Sequence, residues 1–236
     1  MNLLANSLTF LSLACGFLSV IFSLEAHFTF AAWAIILSVI FDGLDGQVAR
    51  RNSIPSAFGK ELDSLVDVVS FGIAPALLGY IFICRHFYFW ATAALFIYLC
   101  SSVMRLAKYN ITAKEKMVNY FYGLPTTVSG GILASFILIY IKGKDISPLP
   151  QYVPVVFLLL VLLLAFLMVS RVRYLNLDGL KQLLGKQVRF TVLILFILLI
   201  LIAFSKKAGV GIFTLFLIYL LFSPFVVKRL NSTQPR

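Results

Sequence analysis

Four aspartates lie within otherwise apolar sequence: Asp42 and Asp45 three residues apart, Asp63 and Asp67 four apart, with Gly46, Ala49, Arg50 and Gly59 between them. An aspartate near the middle of a membrane-spanning helix costs about 2.5 to 3.5 kcal/mol on insertion scales, so four cost on the order of 10 kcal/mol unless cations offset them. The basic side chains nearby, Arg50, Arg51 and Lys60, are too few to neutralise a group that also includes Glu61. Residues three or four apart share one face of a helix, with β-carbons about 5 to 6 Å apart. Asp42 and Asp45 therefore point the same way, and Ala49 and Gly46 leave room beside them for a flat ligand. Gly59, Asp63 and Asp67 form a second stripe, from which Glu61 points away.

A hairpin through Asn52, Ser53 and Pro55 sets the two acidic stripes opposite one another. Four facing carboxylates suit one or two hard cations, Mg²⁺ or Mn²⁺. Open positions on such ions go to phosphate oxygens, and paired ions stabilise in-line displacement at phosphorus, so phosphoryl or phosphatidyl transfer is the indicated chemistry. Arg50 is placed to offer its fork of donors to a phosphate. A Walker-type loop is absent, which argues against nucleotide hydrolysis as the driver.

The elements that must position these residues are membrane helices. The chain has 236 residues, 61% hydrophobic and 12% charged, with a mean hydropathy of +0.99, and no soluble domain of this size carries such a surface. Eight apolar runs are long enough to span a bilayer: 6–24, 28–49, 60–83, 87–107, 123–141, 151–170, 188–205 and 208–227. The fold class is thus an all-α polytopic membrane protein of about eight transmembrane helices. It forms one catalytic domain over 1–236, with the signature hairpin at 42–67 and the last two helices, 188–227, at its periphery. The first run leads into a second without a small-residue cleavage site, so it reads as a span of the mature chain.

The net charge of +11 sits in the short links between runs, where anionic lipid, not nucleic acid, is the natural partner. Arg85, Lys142, Lys144, Lys206 and Lys207 fall on one side, and the other fifteen of the twenty basic residues on the opposite side. The excess places both termini and the aspartates at the cytoplasmic face. The link from Arg171 to Arg189 mixes basic residues with leucines, as an interfacial segment would. Gly130, Gly131, Ala134 and Ser135 suit close helix packing. Cys15, Cys84 and Cys100 have no metal-like or paired spacing and read as small buried hydrophobes.

Together the motif residues spell D-x-x-D-G-x-x-A-R, eight residues, then G-x-x-x-D-x-x-x-D, and this resembles the signature of the CDP-alcohol phosphotransferases. The resemblance implies a helical bundle that transfers a phosphatidyl or related group from a CDP-linked donor to an alcohol, releasing CMP. It implies Asp42, Asp45, Asp63 and Asp67 as metal ligands, with Asp67 a ligand or the base that takes the alcohol proton. Gly46, Ala49 and Gly59 would admit the cytidine and diphosphate, which Asp42 and Asp63 also contact.

Four further stretches, A-N-S-L-T-F-L-S-L-A-C-G-F at 5–17, S-F-G-I-A-P-A at 70–76, R-L-A-K-Y-N at 105–110 and Y-G-L-P-T-T at 122–127, resemble the phosphatidylserine synthase branch. Ala5 stands where relatives tend to have proline, and Lys108-Tyr109 where Arg-Phe is more usual. The branch implies CDP-diacylglycerol and L-serine as substrates, a homodimer, and residence in a bacterial cytoplasmic membrane. Asn6 and Thr9 are candidates to reach the nucleotide, and Arg105 with Lys108 to hold the serine carboxylate. The rival readings are the same chemistry on glycerol 3-phosphate or an inositol derivative, and an ion-coupled transporter, since intramembrane acids also mark ion pathways.

Overall fold

A computed structural model of the chain describes residues 3–51, 57–82, 88–112, 120–141, 152–175 and 208–233. It is helical almost throughout. α1 (Leu3–Leu24) and α2 (Phe28–Arg51) form an antiparallel pair, and α3 (Ala57–Asp67) continues through a π turn (Val68–Ile73) into α4 (Ala74–Phe82). α5 (Tyr88–Thr112), α6 (Thr126–Ile141), α7 (Tyr152–Val169) and α8 (Ala208–Thr233) follow. Seven of the expected spans are present as helices; the expected span at 188–205 and the turn residues Asn52, Ser53 and Pro55 lie outside the described residues.

Among the described residues, six spans are long and apolar enough to cross a membrane, and α6 is a shorter apolar helix. Its brevity fits its place. Most residues of α6 are buried, because α2, α4, α8 and the π turn pack around it, so it meets protein more than lipid. Small residues make this possible: a β-carbon on Gly130 would come within 3.2 Å of the Phe71 Cα, and one on Gly131 would strike the Phe216 ring. Close backbone approach of this kind substitutes in lipid for the missing hydrophobic drive between helices. α8, expected at the periphery, packs on α6 through that Phe216 contact and through Gly209 against Leu138.

The outward faces carry the exposed Phe10, Phe17, Phe30, Phe96, Phe166 and Phe225, as a lipid-bathed surface should. Tyr88, Phe89 and Trp90 are exposed together at the start of α5, where an aromatic belt marks the membrane interface.

α1 is riveted to its neighbours by serines. Ser12 Oγ and Ser38 Oγ are 2.7 Å apart, Ser38 Oγ donates to the Ser12 carbonyl at 3.0 Å, and Ser70 Oγ donates to the same carbonyl at 3.2 Å. Each such interhelical bond contributes about 0.6 kcal/mol in membrane proteins. Their position matters more than their sum, since Ser38 lies one turn before Asp42 and Ser70 three residues after Asp67.

A two-stranded sheet is the exception to the helical reading. β1 (Tyr120–Tyr122) pairs antiparallel with β2 (Arg173–Leu175), Phe121 opposite Tyr174. The expected interfacial segment 171–189 therefore begins as a strand, and the short alternation explains it: Tyr174 is buried while Arg173 faces out and lies 4.8 Å from the Tyr120 ring centroid. The exposed Tyr120 and Tyr122 hydroxyls are 3.3 Å apart, and this bond raises the Tyr120 pKa. The expected start of helix 5 at 123 likewise moves to Thr126, because Gly123 turns the chain at φ +79°. Gly123 N–H donates to the Val172 carbonyl at 2.8 Å and Leu124 N–H to the Leu167 carbonyl at 3.1 Å.

A β-carbon at Gly123 would collide with the Met168 carbonyl, in a conformation that side chains rarely adopt. Gly123→Ala is therefore expected to cost at least about 2 kcal/mol. Thermal unfolding in detergent checks this; a melting temperature equal to wild type would show that the turn can relax.

Candidate active site

Two helix ends bring the acids together. Asp42 stands two turns or so before the end of α2, and Asp63 and Asp67 lie one turn apart on α3. Carboxylate oxygens of Asp42, Asp63 and Asp67 all lie within 4.8 Å of one another. Asp45, on the same face of α2, is buried at 4% exposure; it is outside this three-carboxylate group but bears electrostatically on both Asp42 and Asp67. Like charges so close cannot remain ionised together without a cation among them.

Asp67 shows how its two oxygens are used. Arg105 Nη1 donates to Thr126 Oγ1 at 3.0 Å, and Thr126 Oγ1 donates to Asp67 Oδ2 at 3.3 Å. The direction is forced, because a guanidinium has donors only and a hydroxyl has one proton to give. Asp67 Oδ2 is thus held. Asp67 Oδ1 is buried without an N–H or hydroxyl donor among the described residues, and the Asp42 carboxyl stands close enough to share a proton with Asp67, a costly arrangement that a bound cation would relieve. A divalent cation fits: three converging oxygen ligands, one with an open oxygen, are the donor set that Mg²⁺ or Mn²⁺ prefers.

The expected acceptor residues separate. Arg105 is buried at 8% exposure with Asp67, Tyr109, Tyr219 and Asp42 as its electrostatic neighbours, whereas Lys108, nearly one turn on, is exposed. Tyr219 comes from α8 and is fixed by donating to the Leu175 carbonyl at 2.9 Å, while Leu175 N–H donates to Ser223 Oγ at 2.6 Å. The last helix therefore reaches the neighbourhood of Arg105.

Of the expected nucleotide contacts, Asn6 and Thr9 are buried in α1, and Thr9 Oγ1 donates to the Ala5 carbonyl of its own helix at 3.1 Å. Gly46 and Gly59 are half-buried on α2 and α3. Ala49 and Arg50 lie in the last turn of α2, with side chains outside those described. Glu61 is exposed and accepts from Asn110 Nδ2 at 3.2 Å. Asn110 Nδ2 also reaches Ser64 Oγ at 2.9 Å, and Lys60 Nζ donates to the Asn110 carbonyl at 3.2 Å, so the end of α5 is tied to α3 beside the acids.

Thr126 was not among the residues singled out from sequence, although it lies in the Y-G-L-P-T-T stretch. The available signal was its place directly after Pro125 at a helix start, where a hydroxyl residue has a structural purpose.

The CDP-alcohol phosphatidyltransferase family model matches residues 2–164, the part of the chain that holds all four aspartates and Thr126. The chain belongs to that family. A CDP-diacylglycerol--serine O-phosphatidyltransferase of Helicobacter pylori is 32% identical over 179 residues, covering 76% of this chain and 74% of the relative. An archaetidylserine synthase of Methanothermobacter thermautotrophicus is 33% identical over 75% of this chain and 71% of its own length. A shorter match, 37% identical over 53% of this chain and 45% of the relative, is to a CDP-diacylglycerol--serine O-phosphatidyltransferase of Mycobacterium tuberculosis. The protein is thus an integral membrane transferase of the CDP-alcohol type.

Proposed function

We propose that the protein transfers a phosphatidyl group from CDP-diacylglycerol to the hydroxyl of L-serine in a metal-dependent reaction, giving phosphatidylserine and CMP. The observation that carries this reading is the meeting of Asp42, Asp63 and Asp67 within 4.8 Å, beside a buried arginine linked to Asp67 through one threonine. The names of the serine-using relatives support serine over other alcohols.

Asp42, Asp63 and Asp67, with Asp45 beside them, would hold one or two Mg²⁺ or Mn²⁺ ions, which supply charge neutralisation for the diphosphate and the departing CMP. The chain's own groups do the rest. CDP-diacylglycerol enters from the bilayer with its acyl chains between helices and its nucleotide near Gly46, Ala49, Arg50 and Gly59, where small residues leave space and Arg50 meets phosphate. Arg105 holds the serine carboxylate with its planar guanidinium fork. Asp67 takes the hydroxyl proton as the serine oxygen bonds to the lipid-proximal phosphorus and the bond from that phosphorus to CMP breaks. Transfer is direct, since no serine, cysteine or histidine nucleophile with a paired base stands beside the aspartates among the described residues. The site faces the cytoplasm, as do both termini, and the enzyme works as a homodimer.

The test is purified protein supplied with CDP-diacylglycerol, Mg²⁺ or Mn²⁺ and a panel of labelled alcohols, with CMP and labelled lipid both measured. Serine should give the two products in equal amounts. Preference for glycerol 3-phosphate or an inositol compound would move the protein to another acceptor, and no CMP from any alcohol would favour an ion-coupled carrier.

A further inference from the structure

The helix that carries Asp67 widens into a π turn directly after it, and the turn has a chemical cause. Pro75 follows Phe71 by four residues, so it has no N–H for the Phe71 carbonyl and its ring crowds that oxygen. Local widening of this kind is a known response and is frequent beside functional residues. A carbonyl left bare at this depth is costly. Here Tyr98 Oη from α5 donates to it at 2.8 Å.

The same phenol has a second contact. With its proton on the Phe71 carbonyl, Tyr98 Oη accepts from Ser129 Oγ at 3.0 Å, and the Thr126 carbonyl, 2.8 Å from Ser129 Oγ, is the alternative acceptor for that one serine proton on the same turn of α6. Thr126 in turn holds Asp67 Oδ2. Tyr98, Ser129 and Thr126 are all fully buried. One hydroxyl therefore touches both parts that aim Asp67: the helix carrying it, four residues further on, and the end of α6 that grips its oxygen. The parts also meet directly where Gly130 lies on Phe71.

We infer that Tyr98 is a positioning residue for the transfer reaction, fixing the direction of Asp67 Oδ1 by joining the π turn at Phe71 to Ser129 and Thr126. This rests on the transferase reading above. It assigns a catalytic consequence to the S-F-G-I-A-P-A stretch: the proline opens the helix, and a tyrosine from a neighbouring span closes it in one orientation. The ring of Tyr98 packs in the core, but its hydroxyl is what sets the geometry.

Tyr98→Phe keeps the ring and removes only the hydroxyl. In the CMP-release assay it should lower kcat about tenfold while the KM for CDP-diacylglycerol stays within about twofold. Thr126→Val supplies the coupling measurement. If Tyr98 acts through the Thr126 end of α6, adding Tyr98→Phe to Thr126→Val should cost less than about threefold more, whereas independent residues would multiply their losses. Ser129→Ala, which cuts one arm alone, is measured alongside. It should lower kcat about threefold, and it carries the test if Tyr98→Phe does not fold. An unchanged kcat in Tyr98→Phe, multiplying losses in the double variant, or an unchanged Ser129→Ala each overturns the inference. Absence of transfer by the wild-type protein would instead remove the reaction itself, so the two failures are distinct.

Discussion

Asp67→Asn is expected to abolish phosphatidyl transfer while leaving donor binding nearly intact. The substitution is almost isosteric, and the amide oxygen can still accept from Thr126 Oγ1 as Asp67 Oδ2 does at 3.3 Å. What changes is the other position. Asp67 Oδ1, which meets no N–H or hydroxyl donor among the described residues, becomes an NH₂ that can neither take a proton nor bind a cation. General-base catalysis commonly contributes about 10²- to 10⁴-fold, so a loss of about 10³-fold in kcat is the central expectation. Asp42 and Asp63 remain, and binding of CDP-diacylglycerol, followed by displacement of a labelled donor, should change by less than about threefold. Metal titration separates the two roles of Asp67. If it is the base, saturating Mg²⁺ or Mn²⁺ will not restore turnover; recovery under excess metal would make it a ligand only, and near-normal turnover would exclude both roles.

Removal of divalent cations is the second large effect. Three carboxylates within 4.8 Å of one another, with a fourth buried beside them, repel strongly in a poorly solvated site. Chelation should therefore lower activity at least about 100-fold, with recovery on adding Mg²⁺ or Mn²⁺. Binding to the folded state also stabilises it, by about 2.7 kcal/mol at 100 times the dissociation constant. Metal should accordingly raise the wild-type melting temperature and raise that of Asp42→Ala much less. Full activity in thoroughly metal-free buffer would remove the cation from the reaction.

The sequence made the acidic stripes legible because two physical regularities coincide there. Charged residues are costly in apolar runs, so Asp42, Asp45, Asp63 and Asp67 stand out at once, and helical spacing says which of them share a face. The spans were legible for the same reason, since about 20 apolar residues are a long and distinctive signal. The order among helices was not. That α6 is largely buried rests on Gly130 meeting Phe71 and Gly131 meeting Phe216, and the sequence shows the small residues without their partners. Likewise Pro75 announces a break in hydrogen bonding, but its answer from Tyr98, 27 residues from Phe71, is a tertiary fact.

Arg105 and Lys108 show the limit on the acceptor side. Both are basic residues near one helix end, and the positive-inside tendency accounts for either of them equally well. Burial separates them, with Arg105 turned inward to Thr126 and Lys108 exposed. The strand pair β1 and β2 was missed because three-residue strands are too short to declare a period.

The position of the metal is the most direct test of all this. Anomalous scattering from Mn²⁺ in crystals of the protein with its CDP-linked donor should show density bridging the carboxylates of Asp42, Asp63 and Asp67. Mn²⁺ density elsewhere, with those three carboxylates bare beside a bound diphosphate, would mean that the acids serve some purpose other than holding cations for phosphatidyl transfer.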